Sequence, residues 1–184
     1  MQAFQHRSKR SDQNNAQNFD FYHPIFVIFA YDPHISAVHH KPIFHILKMA
    51  EKEGGIVKKG HEEGLKMAIS LLEEFGLPLG LLPLAEVIEV GFVRSTGYMW
   101  IVQEKKVEHE FKIISKTVSY SNEINGYIEM KKIKKLHGVK AKELVLWPPV
   151  SEIRVDDPPT GKIHFRSLAG ITKTFPVEAF ALGQ

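Results

Sequence analysis

After Leu82 the apolar residues of this chain recur at every second position, in short runs separated by turn residues. Successive side chains of a strand point to opposite faces, so a segment that keeps this period to its end folds back and forth and buries one face. Val87-Ile88-Glu89-Val90-Gly91-Phe92-Val93 is β-branched and apolar, Arg94-Ser95-Thr96-Gly97 makes a turn, and Tyr98-Met99-Trp100-Ile101-Val102 returns, which is a hairpin. Val107 to Ile114 sets Val107, His109, Phe111 and Ile113 on one face against Glu108, Glu110 and Lys112 on the other. Thr117 to Met130 is a further strand with a bulge or bend at Gly126, and Leu144–Trp147, Val150–Val155, Lys162–Phe165 and Ile171–Phe175 bring the total to about eight. Short strands at regular spacing predict an all-β, antiparallel barrel or sandwich rather than a parallel α/β sheet.

Ahead of the strands the period is that of a helix. Leu65, Ala68, Ile69, Leu72 and Phe75 share one face of an amphipathic helix over Glu62–Phe75, with Glu62 and Glu63 in the first turn, Gly76 as the stop and Pro78 forbidding continuation. A membrane-surface helix wants a basic polar face, and Glu62, Glu63, Glu73 and Glu74 give the opposite. The expected role is to cover one face or mouth of the sheet.

Composition breaks at Met49. Residues 1–48 hold no glycine, no glutamate, one leucine, six of the ten histidines and six of the twelve phenylalanines, whereas all thirteen glycines follow. They are expected to be a disordered or non-native extension, with 49–61 a flexible linker and 62–182 the folded domain. The polar stretch Gln2 to Asn18 is too poor in apolar area to offset its chain entropy. The apolar block Pro24 to Tyr31 sits late, after Asp20, and runs into Asp32-Pro33 instead of a small-residue cleavage site, so it does not read as a secretory signal. That reading and the lack of cysteine favour a cytoplasmic location.

A balance of 24 basic against 21 acidic residues is too mild to announce nucleic acid or a membrane. No apolar run reaches the roughly 18 residues of a membrane span. With no cysteine there are no disulfides, thiolate metal sites or cysteine nucleophiles. His34, His39, His40 and His45 are not set at helical i,i+4 ligand spacing, and Asp156-Asp157-Pro158-Pro159-Thr160-Gly161 reads as a tight connection rather than a calcium loop, so no metal is indicated. Gly54-Gly55 and Gly60 make no phosphate loop, and no cofactor is indicated. Ser115, Ser119, Ser121, Ser151 and Ser167 accompany His61, His109, His137 and His164, but no Gly-x-Ser-x-Gly elbow singles out a nucleophile, and no catalytic residue is assigned.

Two groups of residues carry binding expectations. If the barrel has a cavity, Trp100, Phe111, Trp147 and Phe165 are the aromatic residues expected to line or plug it. Lys131, Lys132, Lys134 and Lys135, continued by Lys140 and Lys142, form a basic cluster able to meet an anionic surface, without the aromatic interleaving that single-stranded nucleic acid demands.

Four blocks in order, Leu77-Pro78-x-Gly80-Leu81-Leu82-Pro83, Leu136-x-Gly138-Val139-Lys140-x-Lys142-Glu143-Leu144 running into Trp147, Val150-x-x-Ile153, and Gly170-Ile171-x-Lys173-x-Phe175-Pro176-x-x-x-Phe180, resemble the plant family of domain of unknown function 538. The resemblance spans roughly Leu65 to Phe180 and implies a compact β-barrel preceded by a helix. Members have been likened to lipid-binding bactericidal/permeability-increasing proteins, and hydrolysis of chlorophyll-like esters has been suggested for some. For the lysine cluster, the block around Gly138 suggests a strand-turn-strand whose lysines guard a sheet edge. The expected function is non-catalytic binding of an apolar or amphiphilic small molecule, lipid-like or pigment-like. An esterase-like hydrolase and a protein-interaction module are the alternatives.

Overall fold

The computed structural model describes residues 48–184. Nine strands form one antiparallel sheet: β1 (Ile56–Lys59), β2 (Val87–Val93), β3 (Tyr98–Gln103), β4 (Val107–Phe111), β5 (Lys116–Glu129), β6 (Lys132–Ala141), β7 (Val150–Val155), β8 (Lys162–Ser167) and β9 (Thr172–Pro176). Their spatial order is β1-β2-β3-β5-β6-β7-β8-β9, with β4 beside β3 on the same flank of the long β5. Among the described residues β9 does not pair with β1, so the sheet is an open barrel or sandwich.

The helix α1 (His61–Glu74) lies within a residue of its expected bounds. Gly76 at φ 65° ends it as expected: its N–H reaches Glu73 O and that of Leu77 reaches Leu72 O, the two bonds that satisfy the last carbonyls of a Schellman motif. Ala68, Leu71 and Leu72 are buried with Val87, Val90, Met99 and Ile101 of the sheet, which confirms a covering role. Among the described residues no helix is long and apolar enough to cross a membrane.

Three expectations need correction. The linker 49–61 carries β1, which pairs in register with β2 from Ile56↔Phe92 to Lys59↔Glu89, so one strand precedes the helix. Ile-Val-Lys-Lys has no alternation to read, because all four residues are exposed and the strand is held by its backbone bonds. Leu144–Trp147 is not a strand but a tight turn, in which Glu143 and Leu146 exchange both backbone hydrogen bonds at 2.9 Å. The lysine-rich strand-turn-strand is one strand, β6, paired along β5 and with β7 at Lys132–Lys134, so that those lysines do not lie on a free edge. Lys135 (φ 49°) and Gly138 (φ 86°) break its regularity, and such breaks look like a turn in sequence.

β5 and β6 bend together. Between Tyr120↔Val139 and Asn125↔His137 the pairing shifts, and there β5 leaves β4 for β3. The main core runs from Leu71, Leu72 and Leu81 through Ile124, Ile128 and Ile133 to Ile153, Ile163 and Phe180. Its polar members are satisfied: Tyr120 Oη donates to Leu81 O at 3.0 Å, and the Gln103 amide donates to Tyr120 O and Ser121 O at 3.2 and 2.9 Å. No buried side-chain nitrogen or oxygen among the described residues lacks a partner. Replacing Tyr120 by Phe is expected to cost about 1 kcal/mol, the net worth of one such bond plus an orphaned carbonyl, measurable by urea unfolding.

Candidate functional site

Beyond the β5–β6 bend the two halves of the sheet leave a cavity of about 610 Å³. Its floor is aromatic: Phe165 of β8, Phe175 of β9 and Phe180 of the terminal 3₁₀ turn lie with ring centroids 4.9 to 6.4 Å apart. Val118, Ala141 and Val150 form strand walls, and Ile114, Trp147 and Pro148 come from connections. The volume falls within the roughly 300–1,000 Å³ of small-molecule sites, and the apolar lining fits one.

Two turns frame the mouth. Residues 143–146 present Leu144 and Val145 at 92% and 88% exposure, and residues 168–171 present Leu168 and Ile171 at 72% and 65%. Leu144 also holds φ 55°, a region that a bulky residue seldom occupies. Exposed apolar area and left-handed backbone both work against folding, so the fold alone does not account for them.

The charged residues of the lining are Lys116, Glu143 and Lys173. Glu143 sits between the lysines, 2.6 Å from Lys173 Nζ and 3.4 Å from Lys116 Nζ. The hydrogen bond from Lys173, with help from Lys116, holds its carboxyl below the ordinary 4.5. Because the folded value is depressed, this group stabilises the fold above the ordinary value and stops doing so as pH falls through the folded one. In an NMR titration Glu143 is expected to show a midpoint below 4.5 that rises in Lys173→Ala; an unchanged midpoint would remove Lys173 as the cause.

The four aromatic residues proposed from sequence separate. Trp147 and Phe165 line the cavity. Phe111 is buried behind it, 4.6 Å from the Phe180 ring. Trp100 belongs to a separate cluster with Val93 and Tyr98, where its Nε1 donates to Glu89 Oε1 at 2.6 Å and Lys52 Nζ stands 4.6 Å over the ring. Desolvation in that cluster pushes the Tyr98 hydroxyl up to about 12. Alternation alone could not divide the aromatic residues, because both faces of the sheet are covered near β3: α1 lies on one and the segment around Gly55 on the other.

Sequence reasoning missed Lys116, Glu143, Lys173, Phe175 and Phe180 as site residues. A signal was present, since Glu143, Trp147, Val150, Ile171, Lys173, Phe175 and Phe180 all belong to the blocks that carry the family resemblance, and the fold brings them to this one cavity.

The expected anionic-surface lysines do not converge there. Lys131 pairs with Asp157 at 2.7 Å, Lys132 with Glu152 at 3.5 Å and Lys134 with Glu129, while Lys135 Nζ lies 5.2 Å over the Tyr127 ring. Of the serines weighed as nucleophiles, none hydrogen-bonds to a histidine among the described residues: Ser151 donates to Arg166 O and Ser167 accepts from the Ile171 N–H. Among the described residues the histidine with a carboxylate is His164, 2.7 Å from Asp156 through Nε2 and 2.8 Å from Thr174 Oγ1 through Nδ1, on the outer face of β8. His34, His39, His40 and His45, the apolar block 24–31 and the polar stretch 2–18 lie outside the described residues.

A family model described as "Protein of unknown function, DUF538" matches residues 68–181, more than half of the chain. None of the curated proteins and none of the solved structures matches it.

Proposed function

We propose that this chain, which belongs to the DUF538 family, binds an amphiphilic small molecule, its apolar body in the cavity and its polar head at Lys116, Glu143 and Lys173. One observation carries the reading: an apolar cavity of about 610 Å³ whose charged lining residues are these three. Each methylene moved from water into such a lining contributes about 0.8 kcal/mol, so a chain of ten or so carbons outweighs the cost of association. The two lysines favour an anionic head, which competes with Glu143 for Lys173.

A fluorescent long-chain fatty acid tests this. Ala141→Trp, which grows from the wall into the cavity, is expected to weaken binding at least tenfold with the circular dichroism spectrum unchanged. Ile171→Asp, at the exposed lip, is expected to weaken it without altering the melting temperature. Saturation should also raise the Glu143 midpoint as Lys173 turns to the head. Equal binding by wild type and both variants sinks the reading. Ester turnover that disappears in His164→Ala would favour the hydrolase alternative, which has its nearest support in the Asp156–His164–Thr174 string.

A further inference from the structure

The outward face of β6 to β9, opposite the aromatic floor, carries a separate groove of about 430 Å³. Register places Lys132 opposite Arg154 and Arg154 opposite His164, and in the next row Lys134 opposite Glu152 and Glu152 opposite Arg166. Two cations directly across a strand pair repel each other, so the Lys132/Arg154 placement weakens the sheet it sits on. Compensation within the chain is incomplete. Glu152 is paired with Lys132, and both carboxyl oxygens of Asp156 are taken, one by His164 and one by Thr160. Among the described residues neither the Arg154 nor the Arg166 guanidinium has a carboxylate within 4 Å. The two arginines are diagonal neighbours across β7 and β8, roughly 7–8 Å apart at the backbone, a span that two guanidinium forks close around one tetrahedral group.

We propose that this groove binds a phosphoryl-type oxyanion between Arg154 and Arg166, with Lys132 and the Thr172 hydroxyl as further donors. Arginine's planar fork suits a phosphate face, and two guanidinium groups without a carboxylate in contact among the described residues, with Asp156 acting on Arg154 only at longer range, leave donors free for an oxyanion. His164 forms a wall rather than a donor, since Asp156 and Thr174 occupy both ring nitrogens. The site lies on the other face of the sheet from the amphiphile cavity and does not depend on it.

The test compares wild type with Arg154→Gln and Arg166→Gln, titrating potassium phosphate against potassium chloride at equal ionic strength. Phosphate should shift the Arg154 and Arg166 Nε resonances saturably and raise the melting temperature, and each substitution should weaken binding about tenfold, the loss of one charge-assisted contact. In chloride, Arg154→Gln should melt close to wild type, because the repulsion from Lys132 that it removes is offset by the longer-range attraction of Asp156 that it also removes; a clearly lower value would make Arg154 a structural residue and overturn the assignment. Chloride reproducing the shift would also overturn it. Co-sedimentation with phosphatidylcholine vesicles containing phosphatidate, lost in the double variant and poorly competed by free phosphate, would identify a lipid headgroup as the source. Binding of free phosphate without co-sedimentation would identify a soluble phosphate ester. Neither would end the proposal.

Discussion

Gly138→Ala is expected to lower the melting temperature by roughly 10 °C, from a loss of about 2–5 kcal/mol. Two costs add at this position. The residue holds φ 86°, where a side chain strains the backbone by about 1–2 kcal/mol. A Cβ would also stand 2.2 Å from Glu123 O and 3.0 Å from Ile124 Cα. Those are backbone atoms of β5 at the bend where it passes from β4 to β3, and Ile124 is fully buried. Nothing there is the flexible end of a side chain, so relief requires the two longest strands to separate, with an overpacking cost of about 1–3 kcal/mol. Gly161→Ala is the control, for it too has positive φ but open space around its Cβ, and should cost only the conformational part. If both substitutions cost the same, the close approach of β5 and β6 is not what requires glycine.

Phe180→Ala is expected to cost about 3–5 kcal/mol, the usual range for truncating a buried aromatic residue. Its ring is 1% exposed and lies 4.6 Å from Phe111, 4.9 Å from Phe165 and 6.4 Å from Phe175. It joins the main core to the cavity floor, so its removal enlarges the cavity while weakening the sheet behind it. Urea unfolding should show a reduced midpoint at an unchanged slope. The long-chain probe should partly restore stability by filling the added space, and failure to do so would mean the floor collapses. Phe175→Ala, at the half-buried edge of the same cluster, should cost clearly less.

The parts legible in sequence are those where one local rule dominates. The helix was marked by its period, its acidic first turn and Gly76. The β2–β3 hairpin was marked by alternation around Arg94 to Gly97, and the resemblance to a family of unknown function was carried by four blocks. β1 could not be read because nothing in Ile56–Lys59 is buried, and its partner lies thirty residues and a helix away. The separation of Trp100 from Trp147 could not be read either. Both tryptophans are flanked by apolar residues, and only the three-dimensional course of β5 and β6 decides which meets the cavity. Glu143 and Lys173 lie thirty residues apart, so an ion pair between them is a property of the turn and of β9 together.

The two turns at the mouth bear on how fast a guest comes and goes. Each is closed by its own backbone hydrogen bonds, Glu143 with Leu146 and Ser167 with Ile171 and Gly170, and the Leu168 N–H ties the second turn to Pro149 at 3.0 Å. Among the described residues no segment spans this entrance, so the proposed amphiphile is expected to enter at ordinary docking rates, about 10⁵–10⁷ M⁻¹s⁻¹ for encounters that need correct orientation. On the proposed function, discrimination between long and short guests is then expected in dwell time: each further carbon sheltered past the turns would slow departure and leave arrival unchanged.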